Sequence, residues 1–276
     1  MVLSANQRVE RSAPPWLAEA AVYAEVWVRS ELLGKLQEQV HVERGRMGKY
    51  VESDFVAAQV GYISSAEQTL KAFYKRLEGF EPGLSEPWGR EAVPSRSALS
   101  RFQAAVRPED LEALREVLLE DLLQRGIGGQ GLGGLVDRVG QRHVVFDIDE
   151  TKQPGRQRKL VSGPDYPQAR RRLRELCAPA RLGRKRGEVG RTRTVVQQAH
   201  TGEWLGSFGG AGNGQTKAEL RRGCAAVCAY MKAHALEPAA AMVRLDGAYG
   251  YVPSIAIALE SGVGYLARCA DYRLLE

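Results

Sequence analysis

The chain changes its hydrophobic period once, near residue 140. Before that point apolar residues recur at three- and four-residue spacing, the period of a helix with one buried face. Trp16, Leu17, Ala20, Ala21, Ala24 and Val28 predict a helix over 12–37, with Pro14 and Pro15 near its start and Gly34 near its end. Phe55, Val56, Val60, Ile63, Leu70, Phe73, Tyr74 and Leu77 predict a second over 52–78, stopped by Gly79 and a Pro/Gly-rich break over 82–89. A short helix over 95–105 carries Leu99 and Phe102 on one side, with Val106 just past its end and Arg96 and Arg101 elsewhere on it. Pro108, Glu109 and Asp110 open the next, where a helix start favours proline and acids. Its leucines run to Leu123 and Gly126 ends it. Six glycines in 126–134 make a flexible joint.

Beyond the joint the period shortens to two, as in half-buried strands. Strands are predicted at 144–151, 191–200, 203–208, 241–246 and 264–269, and helices at 215–234 and 254–261. The order is β-β-β-α-β-α-β. Residues 152–187 show no clear period apart from a short helix near 167–177. The expected class is therefore α/β, a mixed sheet preceded by a mainly helical N-terminal region.

A length of 276 residues allows one large domain or two ordinary ones. No 18-residue apolar run and no signal-peptide core is present, so the expectation is a cytoplasmic protein with no membrane partner. The four cysteines form no CxxC pair and the four histidines are scattered, which argues against a zinc site. The net charge of +6 is unevenly placed: residues 152–193 hold 14 Lys and Arg against 3 Asp and Glu. Such a segment suits a polyanion gripped through its phosphates, although basic runs are also commonly just solvated loops.

That segment directly follows Val144-Val145-Phe146-Asp147-Ile148-Asp149-Glu150-Thr151. Asp147 and Asp149 are spaced i and i+2, so in a strand they share a face. They form either an acidic surface turn or a metal-binding carboxylate site, since carboxylates at the end of a buried strand need partners. Asp246 ends the fourth strand in the same manner. Strand-end carboxylates brought together suit Mg²⁺, a hard ion that keeps several waters.

In these features the sequence resembles the DDE-type transposases of bacterial insertion sequences. The resemblance rests on Phe146–Thr151, on Val243-Arg244-Leu245-Asp246-Gly247-Ala248-Tyr249-Gly250, and between them on Gly183–Val189 and Arg191–Thr194. It covers residues 144–276, and 94–125 loosely. It implies a helical DNA-end-binding region over 1–125, a joint over 126–142, and a ribonuclease H-like core over 143–276. The implied activity is metal-dependent phosphodiester cleavage and strand transfer on double-stranded DNA, both element ends and target. Mg²⁺ or Mn²⁺ is the implied cofactor, and a homodimer on nucleoid DNA the implied assembly. Asp149, just ahead of Thr151, and Asp246 are the implied catalytic ligands, with Asp147 a further metal ligand or second candidate. Arg184, Lys185, Arg186, Arg191 and Arg193 are the implied backbone-phosphate contacts. The family's third acid is a glutamate on a helix after the fifth strand. Glu260 lies before that strand and Glu276 is terminal, so the core is expected to stop short of it, which leaves two expectations for the chain alone: a DDE-type transposase and an inactive fragment of one.

Other readings compete for the same residues. Val144–Thr151 also fits the hhhDxDxT motif of haloacid-dehalogenase-like phosphatases, with Asp147 as nucleophile and Asp149 as acid/base. That family places the motif near its N-terminus, whereas here a long helical stretch precedes it, and no Asp-Asp pair follows. Gly209–Thr216 follows a strand and opens a helix like a P-loop, but Gln215 stands at the lysine position. A non-catalytic DNA-binding remnant is the third reading.

Overall fold

The computed structural model describes residues 12–44, 48–125, 131–154, 177–182 and 185–268. The chain divides into two compact units, 1–118 and 119–276.

The first unit is helical. The predicted helix 12–37 is two helices, α1 (Trp16–Arg29) and α2 (Leu32–Gln39), because Glu31 takes a left-handed turn at φ 59°. Gly34 lies within α2 rather than ending it. The predicted helix 52–78 likewise divides into α3 (Glu52–Ser64) and α4 (Leu70–Leu77). Ala66 takes positive φ between them, and Thr69 restarts the helix by accepting the Ala72 amide at 3.2 Å. The expected break at 82–89 holds a short helix, α5 (Glu81–Ser85), and a 3₁₀ turn that bury Leu84 and Trp88. Prolines at a first turn start helices as readily as they stop them. Then follow α6 (Arg96–Ala105), capped by Ser95, and α7 (Pro108–Gln124). Trp16 packs on Phe73 at 5.6 Å between ring centroids, and Phe55 stacks on Phe102 at 4.1 Å.

The second unit is built on one mixed sheet. Its strands are β1 (Leu135–Val136), β2 (Arg142–Pro154), β3 (Ala178–Leu182), β4 (Lys185–Gln198), β5 (Trp204–Phe208), β6 (Ala241–Leu245) and β7 (Gly264–Ala267). The order is β3-β4-β2-β6-β7, with β5 also on β4 and β1 on β2. The pairings β1–β2, β2–β4, β3–β4 and β4–β5 are antiparallel, whereas β6 and β7 run parallel to β2. Two helices, α8 (Thr216–Ala233) and α9 (Val252–Glu260), make the connections that parallel neighbours require.

Both helices contribute to the sheet's core. Phe146, Ile148, Val196, Val243 and Leu245 pack with Leu220, Cys224, Val227 and Met231 of α8 and Ile257 and Ala258 of α9. Alternation fixes which strand residues these are: even-numbered on β2 and β4, odd-numbered on β6. Gly223 lets α8 approach closely, since a Cβ there would lie 3.1 Å from Val196 Cγ2 and 3.3 Å from Ile148 Cδ1.

Two differences from the expected core stand out. β1 and β3 are additional strands, and β4 begins at Lys185 rather than near Arg191. Lys185–Gly190 carries charge and glycine and no apolar alternation, so its pairing is invisible to a period count. It pairs with β3 and, at Gly190, with Pro154 at the end of β2. The helix expected near 167–177 lies outside the described residues except for Cys177, which is in no helix. Among the described residues no helix is long and apolar enough to cross a membrane.

Candidate metal and phosphodiester site

Strand register decides what the three predicted aspartates can do. On β2 and β6 the last paired residues are Ile148 and Leu245. Asp149 and Asp246 are each the next residue and stand level with each other, and both are exposed. Only Asp246 lies past the end of its strand: β2 runs on to Pro154 and Asp149 stays paired with Val195 of β4, so the strand end expected at Asp149 is absent. Asp246 also ends its strand: its Oδ1 accepts the Ala248 amide at 2.9 Å and caps the 3₁₀ turn Gly247–Tyr249.

Asp147 is engaged elsewhere. It lies beside Arg244 in the same register. Arg244 Nε donates to its Oδ1 at 2.6 Å and Nη2 to its Oδ2 at 2.7 Å. Both carboxylate oxygens are thereby used, and the pairing raises the Arg244 pKa still further.

The predicted basic residues are partly placed. Arg191 and Arg193 sit on β4 opposite Gln153 and Thr151, on the same sheet face as Asp147 and Asp149 and away from α8. Arg193 is exposed; Arg191 is half-buried, and its Nε has no hydrogen-bond partner among the described residues. Lys185 and Arg186 are described only as β4 strand positions, and Arg184 lies outside the described residues.

The helix-covered face carries acids that period counting passed over. Glu150 follows Asp149 and therefore points the other way, opposite Thr194. Its Oε2 accepts from Thr216 Oγ1 at 2.9 Å. Burial, first, pushes the Glu150 carboxyl above its ordinary range; the Thr216 bond works against this, and the Glu219 and Asp246 carboxylates add to it. Glu219, in the first turn of α8, is buried. It accepts from Thr194 Oγ1 at 2.8 Å, Thr192 Oγ1 at 3.1 Å and the Gln215 amide at 2.9 Å. Tyr249 is fully buried with its hydroxyl 3.5 Å from Thr194 Oγ1, and burial drives its pKa upward. A signal for Glu150 was present: alternation puts it on the face of Phe146 and Ile148, where a carboxylate needs a partner. For Glu219 the sequence offers only a common first-turn acid.

Glu219 also bears on the glycine loop. A Cβ on Gly214 would lie 2.2 Å from Thr192 Oγ1 and 2.7 Å from Glu219 Oε1. The space that a P-loop reserves for phosphate is here lined by the protein's own carboxylate.

The donor set fits Mg²⁺ in kind: hard carboxylate oxygens at two exposed, level positions, with room for water. Among the described residues no three His, Cys, Asp or Glu side chains form a metal-binding group. No protein-family model and no curated protein sequence matches the chain.

Proposed function

We propose that the second unit is a ribonuclease H-like core that cleaves and joins DNA phosphodiesters with divalent metal, in the manner of a DDE-type transposase. The observation that carries this reading is the register that sets Asp149 of β2 level with Asp246, where the neighbouring parallel strand β6 ends. The strand order supports it: setting β1 and β3 aside, the elements run β-β-β-α-β-α-β. Asp149 and Asp246 would hold Mg²⁺ or Mn²⁺, which supplies activation of the attacking oxygen and neutralisation of charge on the leaving one. Arg191 and Arg193, on the Asp149 face, would hold backbone phosphates of the duplex. In the first step water attacks phosphorus and a 3′-hydroxyl leaves. In the second that hydroxyl attacks a target phosphodiester and displaces its 3′-oxygen.

One observation favours a second reading, a DNA-binding protein that does not cut: among the described residues no group of three His, Cys, Asp or Glu side chains forms a metal site. The phosphatase reading requires Asp147 as nucleophile, yet both its oxygens are taken by Arg244.

Labelled duplexes of the DNA bordering the gene, incubated with the protein and Mg²⁺, test the assignment. Cutting that disappears in Asp149→Ala and in Asp246→Ala is expected. Cutting that survives both substitutions would sink the metal site, firm binding without cutting would select the second reading, and phosphomonoester turnover lost in Asp147→Asn would favour the phosphatase.

A further inference from the structure

The helical unit holds a cleft of its own, about 810 Å³ in volume. That lies in the range of clefts that take cofactor-sized ligands, roughly 300–1,000 Å³. Among the described residues three cations line it, Arg44, Lys49 and Arg101, and no carboxylate does. The segment between α2 and α3 supplies the first two and α6 the third. Its aromatic wall is Tyr50 and Phe102, both half-buried, with Phe55 behind them only 3% exposed. Phe55 stacks on Phe102 with ring planes 3° apart, and Tyr50 meets Phe55 edge-on at 6.1 Å.

The three cations are not equivalent. Arg44 is built into the wall: Nη1 donates to the Tyr50 carbonyl at 2.7 Å, Nη2 lies 3.6 Å from Glu52, and its guanidinium sits 5.4 Å from the Phe55 ring centre. Lys49 Nζ stands 5.1 Å from the Tyr50 ring centre. Neither Lys49 nor Arg101 has an acidic partner among the described residues. Three nearby acids have cationic partners: Glu43 pairs with Arg107 at 2.9 Å, Glu52 with Arg44 at 3.6 Å and Asp54 with Arg90 at 2.5 Å; Glu91 lines a neighbouring cleft with Lys49 and not this one. Lys49 and Arg101, like charges with no paired carboxylate, raise the local potential and attract an anion. Aromatic rings beside them add nothing for a small inorganic ion, but offer a flat ligand a stacking surface.

We propose that this cleft binds a nucleotide, its phosphate between Lys49 and Arg101 and its base against the aromatic wall. Two sources present this chemistry, a free nucleotide and one nucleotide of a single strand. Recognition depends on the pairing of charge with flat surface, so a bare phosphate is a poor ligand. The site lies wholly within the first unit and does not depend on the reading of the aspartates.

Calorimetric titration of the full-length chain with thymidine 5′-monophosphate, a short oligothymidylate and inorganic phosphate tests this. Either nucleotide probe is expected to bind at least about tenfold more tightly than inorganic phosphate. Lys49→Gln and Arg101→Gln should each weaken nucleotide binding roughly tenfold, the loss of one charge-assisted contact. Both side chains are exposed, so the variants should melt like the parent. Arg96→Gln, exposed on α6 but outside the cleft, is the control and should bind as the parent does. Equal affinity for monomer and oligomer assigns the site to a free nucleotide, and a clear preference for the oligomer to a strand. Parent-like binding by both Lys49→Gln and Arg101→Gln, or inorganic phosphate binding as tightly as the nucleotides, would overturn the proposal.

Discussion

Arg244 holds Asp147 with two nearly equal hydrogen bonds, 2.6 and 2.7 Å, from the register position beside it on the parallel neighbour β6. A guanidinium fork matches a carboxylate in this way. The pair separates two aspartates that the sequence presents as equivalent: Asp147 is a partner of Arg244, and Asp149 stands level with Asp246, where β6 ends.

This pair should matter little to stability. Its side chains are 56% and 36% exposed. Exposed ion pairs contribute under about 1 kcal/mol. Asp147→Ala should lower the melting temperature by no more than about 4 °C and leave Mn²⁺ binding in place. A loss of Mn²⁺ binding in that variant would move Asp147 back into the ligand set.

Glu219 is the opposite case. It is 4% exposed and accepts from two threonines and one backbone amide. Glu219→Ala leaves those donors facing an empty space and should cost about 3 kcal/mol. Glu219→Gln keeps one acceptor oxygen and should cost less. Urea denaturation measures both, and a loss under about 1 kcal/mol for the alanine variant would mean the network adds little.

Glu150 predicts a pH dependence. Its folded-state pKa is raised, chiefly by burial. A carboxyl raised on folding binds its proton more tightly in the native state. Its contribution is therefore fully present below the ordinary carboxylate pKa and is lost as pH rises through the raised value. Glu150→Gln stays neutral and retains an oxygen for Thr216. It should melt like the parent in acid and above the parent at neutral pH. A variant less stable than the parent at neutral pH would show that the ionised form is the favoured one.

Arg191 and Arg193 predict a salt dependence. If each neutralises one phosphate, Arg193→Gln should weaken duplex binding for every sequence alike. The slope of log affinity against log salt should fall by about one. Arg191→Gln should act in the same direction. Slopes unchanged in both variants would remove these residues from the DNA contact.

Much of the sheet was legible because its central strands are short, apolar and alternating. Val144–Ile148 and Ala241–Leu245 read as strands from their residues alone, and Asp246 as an end follows from the glycines behind it. What was hidden depends on pairing. Lys185–Gly190 has no apolar alternation, because this part of β4 pairs through backbone with β3. The breaks at Glu31 and Ala66 were hidden too, since a left-handed residue interrupts a helix without disturbing its apolar period. At the site, alternation correctly put Asp147 and Asp149 on one face. It could not show that Arg244, nearly a hundred residues later, stands beside the first of them. That fact lives in strand register, as does the level placement of Asp149 and Asp246.

A divalent ion held by Asp149 and Asp246 together is what the proposed chemistry requires. The direct measurement is Mn²⁺ binding, followed by electron paramagnetic resonance with duplex DNA present, in the parent, Asp149→Ala, Asp246→Ala and Asp147→Ala. Bound Mn²⁺ lost in the first two variants and kept in the third is the predicted result. Bound Mn²⁺ undiminished in both Asp149→Ala and Asp246→Ala would contradict it.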